Sequence, residues 1–201
     1  LGLIIGFSFS MAISRYDQRK NLEEEEANAI GTEYLRAGLL PAAEAARVRE
    51  LLKAYLDVRI EFFELTDVSR LKDLGARRAK LQDELWAAVE GHAAANPTPI
   101  MALVLMGMND VINSQGYTLA AWRNRIPHAA WLLMILIAVC SNVLIGYGAH
   151  RTRPARRLLI VMPLVVSISF FLIADIDSPR GGVIRIVPQN LKYLADTLPP
   201  S

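Results

Sequence analysis

A pair of carboxylates follows the last long apolar run of this chain. Asp175 and Asp177 are separated by a single residue, and Arg180 and Arg185 come shortly after them, near a proline and two glycines. Charged groups at the edge of a membrane are costly unless they are paired. One interpretation is a helix stop, that is, a turn that ends the helix and in which an arginine neutralises the acids. The other is that the acids bind ions at the entrance of a pore. Ca²⁺ takes six to eight oxygen ligands, so two carboxylates alone do not predict a metal site.

Small residues recur at four-residue steps near the start of the chain. Gly2, Gly6 and Ser10 fall on one face of a helix, and the two glycines match the close-packing motif of membrane helices. The spacing predicts that this face packs against another helix. The alternative is that it lines a pore, in which the serine hydroxyls contact water. Asn142 lies inside a later apolar run and needs a polar partner, which favours an oligomer or a polar cavity.

The sequence carries no catalytic signature. It has no nucleotide-binding loop, no serine-hydrolase elbow, no zinc-protease motif and no Cys/His cluster. We therefore predict that the protein is not an enzyme and that it binds no cofactor and no metal. The net charge of +2 comes without an aromatic-interleaved basic patch, which argues against nucleic acid. The single cysteine, Cys140, is interpreted as a packing residue.

Long apolar runs dominate the second half of the chain. Residues 128–149 contain no charged side chain, and a second apolar run covers 158–174. About 20 apolar residues cross the ~30 Å hydrocarbon core, so we predict a transmembrane hairpin over 127–175, with a tail at 176–201. Residues 1–14 reach only about 21 Å as a helix. We expect them to be the C-terminal part of a transmembrane helix in a chain that lacks its true N-terminus.

The region between these apolar segments is polar and has helical periodicity. Apolar residues recur at three- and four-residue steps through 15–96, which predicts an extramembrane helical domain. Pro41 is expected at the first position of its second helix. We predict an interfacial helix at 97–126, because placing the charged side chain of Asp110 in the middle of the bilayer would be energetically costly. The fold class is therefore an all-α membrane protein: a transmembrane hairpin plus a further N-terminal span, with an extramembrane helical domain.

The charge of the loops predicts the topology. The loop at 150–157 holds four arginines between two closely spaced apolar runs, and short basic loops stay in the cytoplasm. The helical domain is then extracytoplasmic in a multi-pass protein of the inner membrane. Five basic residues near the opposite boundary weigh against this orientation: Arg15, Arg19, Lys20, Arg123 and Arg125.

Two segments carry a resemblance to a known family. With EEANAIGTEYLRAGLLP at 25–41 and DIDSPRGGVIRI at 175–186, the chain resembles the bestrophin-like family of bacterial membrane proteins. The resemblance implies four spans, of which one precedes residue 1, and kinship with pentameric anion channels. In the family, the segment matching 109–113 carries acids at its second and last positions; Asp110 keeps one, and Asn113 replaces the other. The positions that carry the family motifs are Glu26, Asn28, Gly31, Thr32, Arg36, Asn109 and Asp110.

Two hypotheses follow for the function. The first is a homo-oligomeric protein of the bacterial inner membrane with channel-type architecture, which contacts the lipid bilayer and passes small ions. The alternative is a non-conducting scaffold or accessory subunit that binds a partner through its extracytoplasmic helices. A channel needs a symmetric oligomer with a continuous polar path, whereas a scaffold needs neither.

Overall fold

The computed structural model describes residues 1–149 and 160–199 of this chain. Within these ranges it contains seven α-helices and no β-strand. Two short 3-10 turns, Ala37–Leu39 and Val68–Arg70, flank the second helix. The Arg-rich loop at 150–157 lies outside the described residues. The helices are α1 Gly2–Arg36, α2 Ala42–Glu64, α3 Leu71–Ala95, α4 Pro99–Arg123, α5 His128–Ala149, α6 Val161–Asp177 and α7 Gln189–Thr197.

Helix α1 runs without a break from the apolar start of the chain into its charged region. It has 35 residues, which corresponds to roughly 50 Å at 1.5 Å per residue. The composition changes near residue 15, but no proline interrupts the helix there. Pro41 serves as the N-cap of α2, with φ −55° and ψ 152°, so the predicted first-position placement was wrong by one residue.

Contacts within the chain divide it into two compact units. The first unit comprises Leu1–Gln18 and Trp122–Arg185, and the second comprises Arg19–Ala121 and Ile186–Ser201. Contacts within one chain do not locate a lipid boundary. The five regions derived from the sequence, with their membrane assignments, therefore stay a prediction.

The first unit has a small core and a large apolar surface. Ala12, Ile126, Ile173 and Ile176 are buried together, while many large apolar side chains of α5 and α6 are exposed. Among the described residues, one helical stretch, Pro99–Gly148, is long and apolar enough to cross a membrane. Only 11% of its apolar window is buried within the chain. These side chains therefore need lipid or another chain to cover them.

The second unit is a helical bundle whose packing positions alternate at three- and four-residue steps. This is the spacing of helices that pack nearly parallel along a seam. On α2 the buried seam is Ala45, Val48, Leu52, Tyr55, Arg59 and Phe62, and on α4 it is Met101, Val104, Met108, Val111, Gln115 and Thr118. On α1 the seam positions are Arg19, Glu23, Glu26, Ile30 and Glu33, and the seam continues to Ala37 in the 3-10 turn that follows. Helix α1 therefore turns mostly ionisable side chains into the bundle.

Candidate functional sites: the turn after helix α6 and the ionic seam of helix α1

Asp175 closes the chain turn that follows α6. Its Oδ1 accepts a hydrogen bond from the backbone N–H of Val183 at 2.7 Å, and its Oδ2 accepts one from Ile184 at 2.8 Å. Gly182 makes this close approach possible, because a Cβ there would lie 2.6 Å from the backbone oxygen of Asp175. Both oxygens of Asp175 therefore have protein donors.

Asp177 joins three segments of the first unit. Its Oδ2 accepts from the backbone N–H of Ile126 at 3.0 Å, and its Oδ1 lies 3.2 Å from Nη1 of Arg15. These contacts connect the end of α6 with α1 and with the linker between α4 and α5. Asp177 is 6% exposed, so the pair is shielded from water. Partly buried ion pairs of this kind are costly to break from one side.

The two arginines of the turn have other contacts. The guanidinium of Arg180 stacks 4.5 Å from the centre of the Trp122 ring, and Nε of Arg185 donates to the carbonyl of Gly182 at 2.8 Å. Sequence reasoning named Arg180, Arg185 or a basic residue of the helical region as partner of the acids, and the structure places Arg15 beside Asp177. No group of three potential metal ligands occurs in the part of the chain that the structure describes. The carboxylates of the turn thus have protein donors, and the choice between a helix stop and an ion site stays a prediction.

The small-residue face of α1 is open within the chain. Gly2, Gly6 and Ser10 are exposed, and a Cβ built on either glycine meets nothing within 4 Å. The contact of α1 with α5 uses Ser8 instead, whose Oγ lies 3.0 Å from Sδ of Met134. The glycine face is therefore available to another molecule.

Asn142 finds its polar partner in its own helix. Its Nδ2 donates to the carbonyl oxygen of Ala138 at 2.8 Å, one turn earlier in α5. This bond satisfies an amide donor without a second chain. Asn142 alone therefore no longer argues for an oligomer.

Glu26 and Arg59 form a buried ion pair in the second unit. Arg59 Nε donates to Oε1 of Glu26, and Arg59 Nη2 donates to Oε2 at 3.1 Å. Thr118 on α4 adds a hydrogen bond to Oε2 at 2.9 Å. The Arg59 guanidinium also lies 4.5 Å from the ring centre of Phe62. The pair has the two-pronged geometry that makes a buried arginine–carboxylate contact favourable.

A neutral polar group borders this pair. Gln82 Nε2 donates to the hydroxyl oxygen of Tyr55 at 3.2 Å and lies 3.4 Å from Oε1 of Gln115. Burial, reinforced by the negative charge of Glu26, raises the pKa of Tyr55 well above its ordinary value. Tyr55 is therefore a neutral phenol at every physiological pH.

Glu23 anchors the C-terminal helix. Its Oε1 accepts from the backbone N–H of Leu191 at 2.9 Å, and its Oε2 accepts from Nδ2 of Asn190 at 2.7 Å. Both donors lie in the first turn of α7, where unpaired N–H groups and the helix dipole favour a negative charge. A carboxylate from α1 thus caps α7.

The motif positions of the family are divided between the core and the surface. Glu26 is buried, whereas Asn28 and Thr32 are exposed. Asn28, Gly31 and Thr32 line a groove of about 600 Å³ between α1 and α7. Arg36 lies beside Glu33 on α1, and Asn109 and Asp110 are exposed on α4. The family motif therefore contributes Glu26 to a buried ion pair, and three of its other residues line one wall of the groove.

The sequence did not single out four buried residues of the second unit: Glu23, Glu33, Arg59 and Thr118. Within the acidic run at 23–26, Glu23 is buried and Glu24 is exposed. The signal that was available is the seam spacing, since Glu23, Ile30 and Ala37 are seven residues apart. Residues seven positions apart lie on the same face of a helix, so the apolar Ile30 and Ala37 indicate that Glu23 also faces the interior.

Comparison with known proteins defines the class of this fold. The chain resembles a solved membrane protein with TM-score 0.73 and 14% identity, over 98% of this chain and 84% of that one. It also resembles two structures of a bacterial bestrophin homologue from Klebsiella pneumoniae. The first, a variant, has TM-score 0.71 and 14% identity, and the second has 0.65 and 17%; each match covers 98% of this chain and 84% of the other. The described part of the chain thus has the all-helical fold of these bacterial bestrophin homologues.

Residues 1–191 match the Bestrophin-like domain family, and the chain belongs to that family. The resemblance inferred from the two sequence motifs is confirmed. No curated protein matches the chain significantly. At 14–17% identity, the solved structures establish the fold, and the activity must be argued from this chain.

Proposed function

We propose that this chain is one subunit of a homo-oligomeric, multi-pass protein of the bacterial inner membrane that passes small ions and has no catalytic activity. Residues 1–14 and the hairpin at 127–175 would be its membrane segments. Family membership supports the channel-type architecture. The exposed apolar surface of α5 and α6 supports a lipid or protein environment for the first unit.

One observation carries the proposal, namely a stripe of exposed small and polar residues along α1. At 3.6 residues per turn these side chains fall within a sector of about 80°. We call it the polar stripe, and its members are Gly6, Ser10, Ser14, Asp17, Asn21, Glu24, Asn28 and Thr32, all of them exposed. The opposite side of the helix is occupied by buried residues from Ala12 to Ala37. A face that is polar, small and uncovered along the helix is what a water-filled path between subunits requires.

The stripe is tested by chemical modification during ion flux. Single cysteines at Ser10 and Asn21, introduced into a Cys140→Ser protein, are reconstituted in liposomes. Cationic and anionic methanethiosulfonate reagents should then reduce the flux of K⁺ or Cl⁻, because the added group occupies the path. Reagents of opposite charge should act unequally, since an ion path carries a local potential.

A matched control lies on the same helix. Met11 is exposed but is displaced from Ser10 by one residue, about 100° around the helix axis. Modification of Met11→Cys should leave the flux unchanged. Equal block from Met11→Cys and Ser10→Cys would show that the stripe does not line the path.

The scaffold hypothesis predicts a different outcome of the same experiment. If the unmodified protein forms a stable oligomer in lipid but passes neither K⁺ nor Cl⁻, the channel proposal fails. The groove between α1 and α7, bordered by the exposed Leu35 and Tyr193, would then be the place to look for a partner.

A further inference from the structure

Glu33 differs from every other acid of the α1 seam because it has no donor. Its side chain is 0% exposed. Neither Oε1 nor Oε2 has a hydrogen-bond partner within the described part of the chain. By contrast, Glu23 and Glu26 each accept from two or more donors. A buried carboxylate without donors is far costlier than a buried neutral acid.

The space around Glu33 is closed by α4. A Cβ added at Gly107 would collide with Oε2 of Glu33 and with Nη1 of Arg36. Gly107 is buried, so the carboxyl group lies directly against the α4 backbone. No side chain at position 107 separates the two helices there. A change in the charge or hydration of Glu33 must therefore act on the α1–α4 contact.

Two charged groups act on Glu33 from the helices around it. Arg36, on its own helix, has Nη1 at 4.0 Å from Oε2, and it is partly exposed. Asp110, one turn after Gly107 on α4, adds a negative charge. Burial chiefly, with some help from Asp110 and opposed by Arg36, raises the pKa of Glu33 to about 8.

We propose that Glu33 is a proton-binding site whose proton keeps α1 closely packed on α4 at Gly107, so that loss of the proton loosens this contact and makes the second unit pH-sensitive. In the protonated state a neutral carboxyl group fits against the backbone without a donor. In the ionised state the carboxylate needs hydrogen-bond donors, and Arg36, at 4.0 Å, is too far away to donate one. The ionised carboxylate also repels Asp110. Water must then enter, or the helices must separate. The inference does not depend on ion conduction.

The proton is observed directly by infrared difference spectroscopy on the full chain in detergent. A carbonyl stretch of a protonated carboxylic acid should be present at pH 6, disappear on titration through about pH 8, and be absent from Glu33→Gln. Persistence of the band in Glu33→Gln, or its absence from the parent protein at pH 6, would overturn the proposal. Glu24→Gln, which removes an exposed acid of the same helix, should keep the band.

The neighbours supply a second test with opposite signs. Asp110→Asn should move the midpoint of the band to lower pH, because a repelling charge is removed. Arg36→Gln should move it to higher pH, because the attracting charge is lost. Midpoints that stay unchanged in both variants would contradict the assignment.

The effect on packing is measured as thermal stability against pH. A raised pKa in the folded state means that the folded protein binds the proton more tightly than the unfolded chain. Stability should therefore fall as pH rises from about 4.5 to about 8 and then level off. Glu33→Gln mimics the neutral acid, so its melting temperature should equal that of the parent protein near pH 5 and exceed it at pH 8. A difference that does not vary with pH would refute the coupling to packing.

Discussion

The acids of α1 show that the interactions of a single residue depend on its surroundings. Glu23 caps α7 and Glu26 pairs with Arg59, whereas Glu33 lies against Gly107 without a hydrogen-bond donor among the described residues. All three are the same residue type on the same helix face. Their different states follow from donors that lie far away in sequence, such as Arg59, 33 residues beyond Glu26. The seam spacing in the sequence indicates that acids of this helix turn inward, but no local pattern indicates which donors they meet there.

The ion pair of Glu26 and Arg59 should be far more sensitive to a single replacement than to a double one. Arg59→Met leaves the Glu26 carboxylate buried with Thr118 as its remaining donor, so we expect a loss of about 3–5 kcal/mol in unfolding free energy. Glu26→Gln leaves a buried guanidinium and should also destabilise strongly. The double variant should cost less than the sum, because no charge is then left unpaired.

Chemical denaturation of the four proteins gives this comparison as a double-mutant cycle. Glu24→Gln is the control, since an exposed acid should change the stability by no more than about 0.5 kcal/mol. Additive losses for Glu26→Gln and Arg59→Met would show that the two side chains do not interact.

At the scale of elements, helix-breaking residues coincide with the ends of two helices. Pro97 and Pro99 follow the end of α3 at Ala95, because the residue before a proline avoids the α-helical region. Gly38 and Pro41 likewise follow the end of α1 at Arg36. The contacts of the turn after α6 were harder to predict from the sequence. Asp177 binds Ile126 and Arg15, which are 51 and 162 residues away from it in sequence, and no local pattern records such distances.

The turn after α6 should depend on one glycine and not on its neighbour. A Cβ at Gly182 would lie 2.6 Å from the backbone oxygen of Asp175, whereas a Cβ at Gly181 would lie 3.1 Å from the side-chain Oγ of Ser178. Gly182→Ala must push the chain away from α6 and weaken the bonds of Asp175 to Val183 and Ile184. We expect a loss of about 1–3 kcal/mol, as for other overpacked sites.

Gly181→Ala is the matched control, with a loss of less than about 0.5 kcal/mol expected for a surface change. Thermal unfolding in detergent separates the two variants. Equal melting temperatures for Gly181→Ala and Gly182→Ala would contradict the role given to Asp175 in closing the turn.

At the scale of the whole molecule, the charge of the loops predicts the orientation of the protein in the membrane. The basic loop predicts that residues 150–157 face the cytoplasm. Arg153→Cys in a Cys140→Ser protein should therefore resist a membrane-impermeant maleimide in intact cells and react after lysis. A new cysteine at the exposed Glu90 should react in intact cells once the outer membrane is permeabilised. The reversed pattern would place the helical domain in the cytoplasm.

The glycine face of α1 gives the sharpest prediction about assembly. Within the chain, a Cβ at Gly6 meets nothing within 4 Å, so Gly6→Leu adds bulk without disturbing the packing of the single chain. If subunits meet through this face, leucine separates two backbones that should nearly touch, and the oligomer should weaken. Native mass spectrometry would then show smaller species for Gly6→Leu, at an unchanged helix content. Gly148→Leu is the control, because that glycine of α5 is also open and exposed. An intact oligomer in Gly6→Leu would exclude this face from the interface, whereas dissociation in both variants would point to general crowding of the membrane helices.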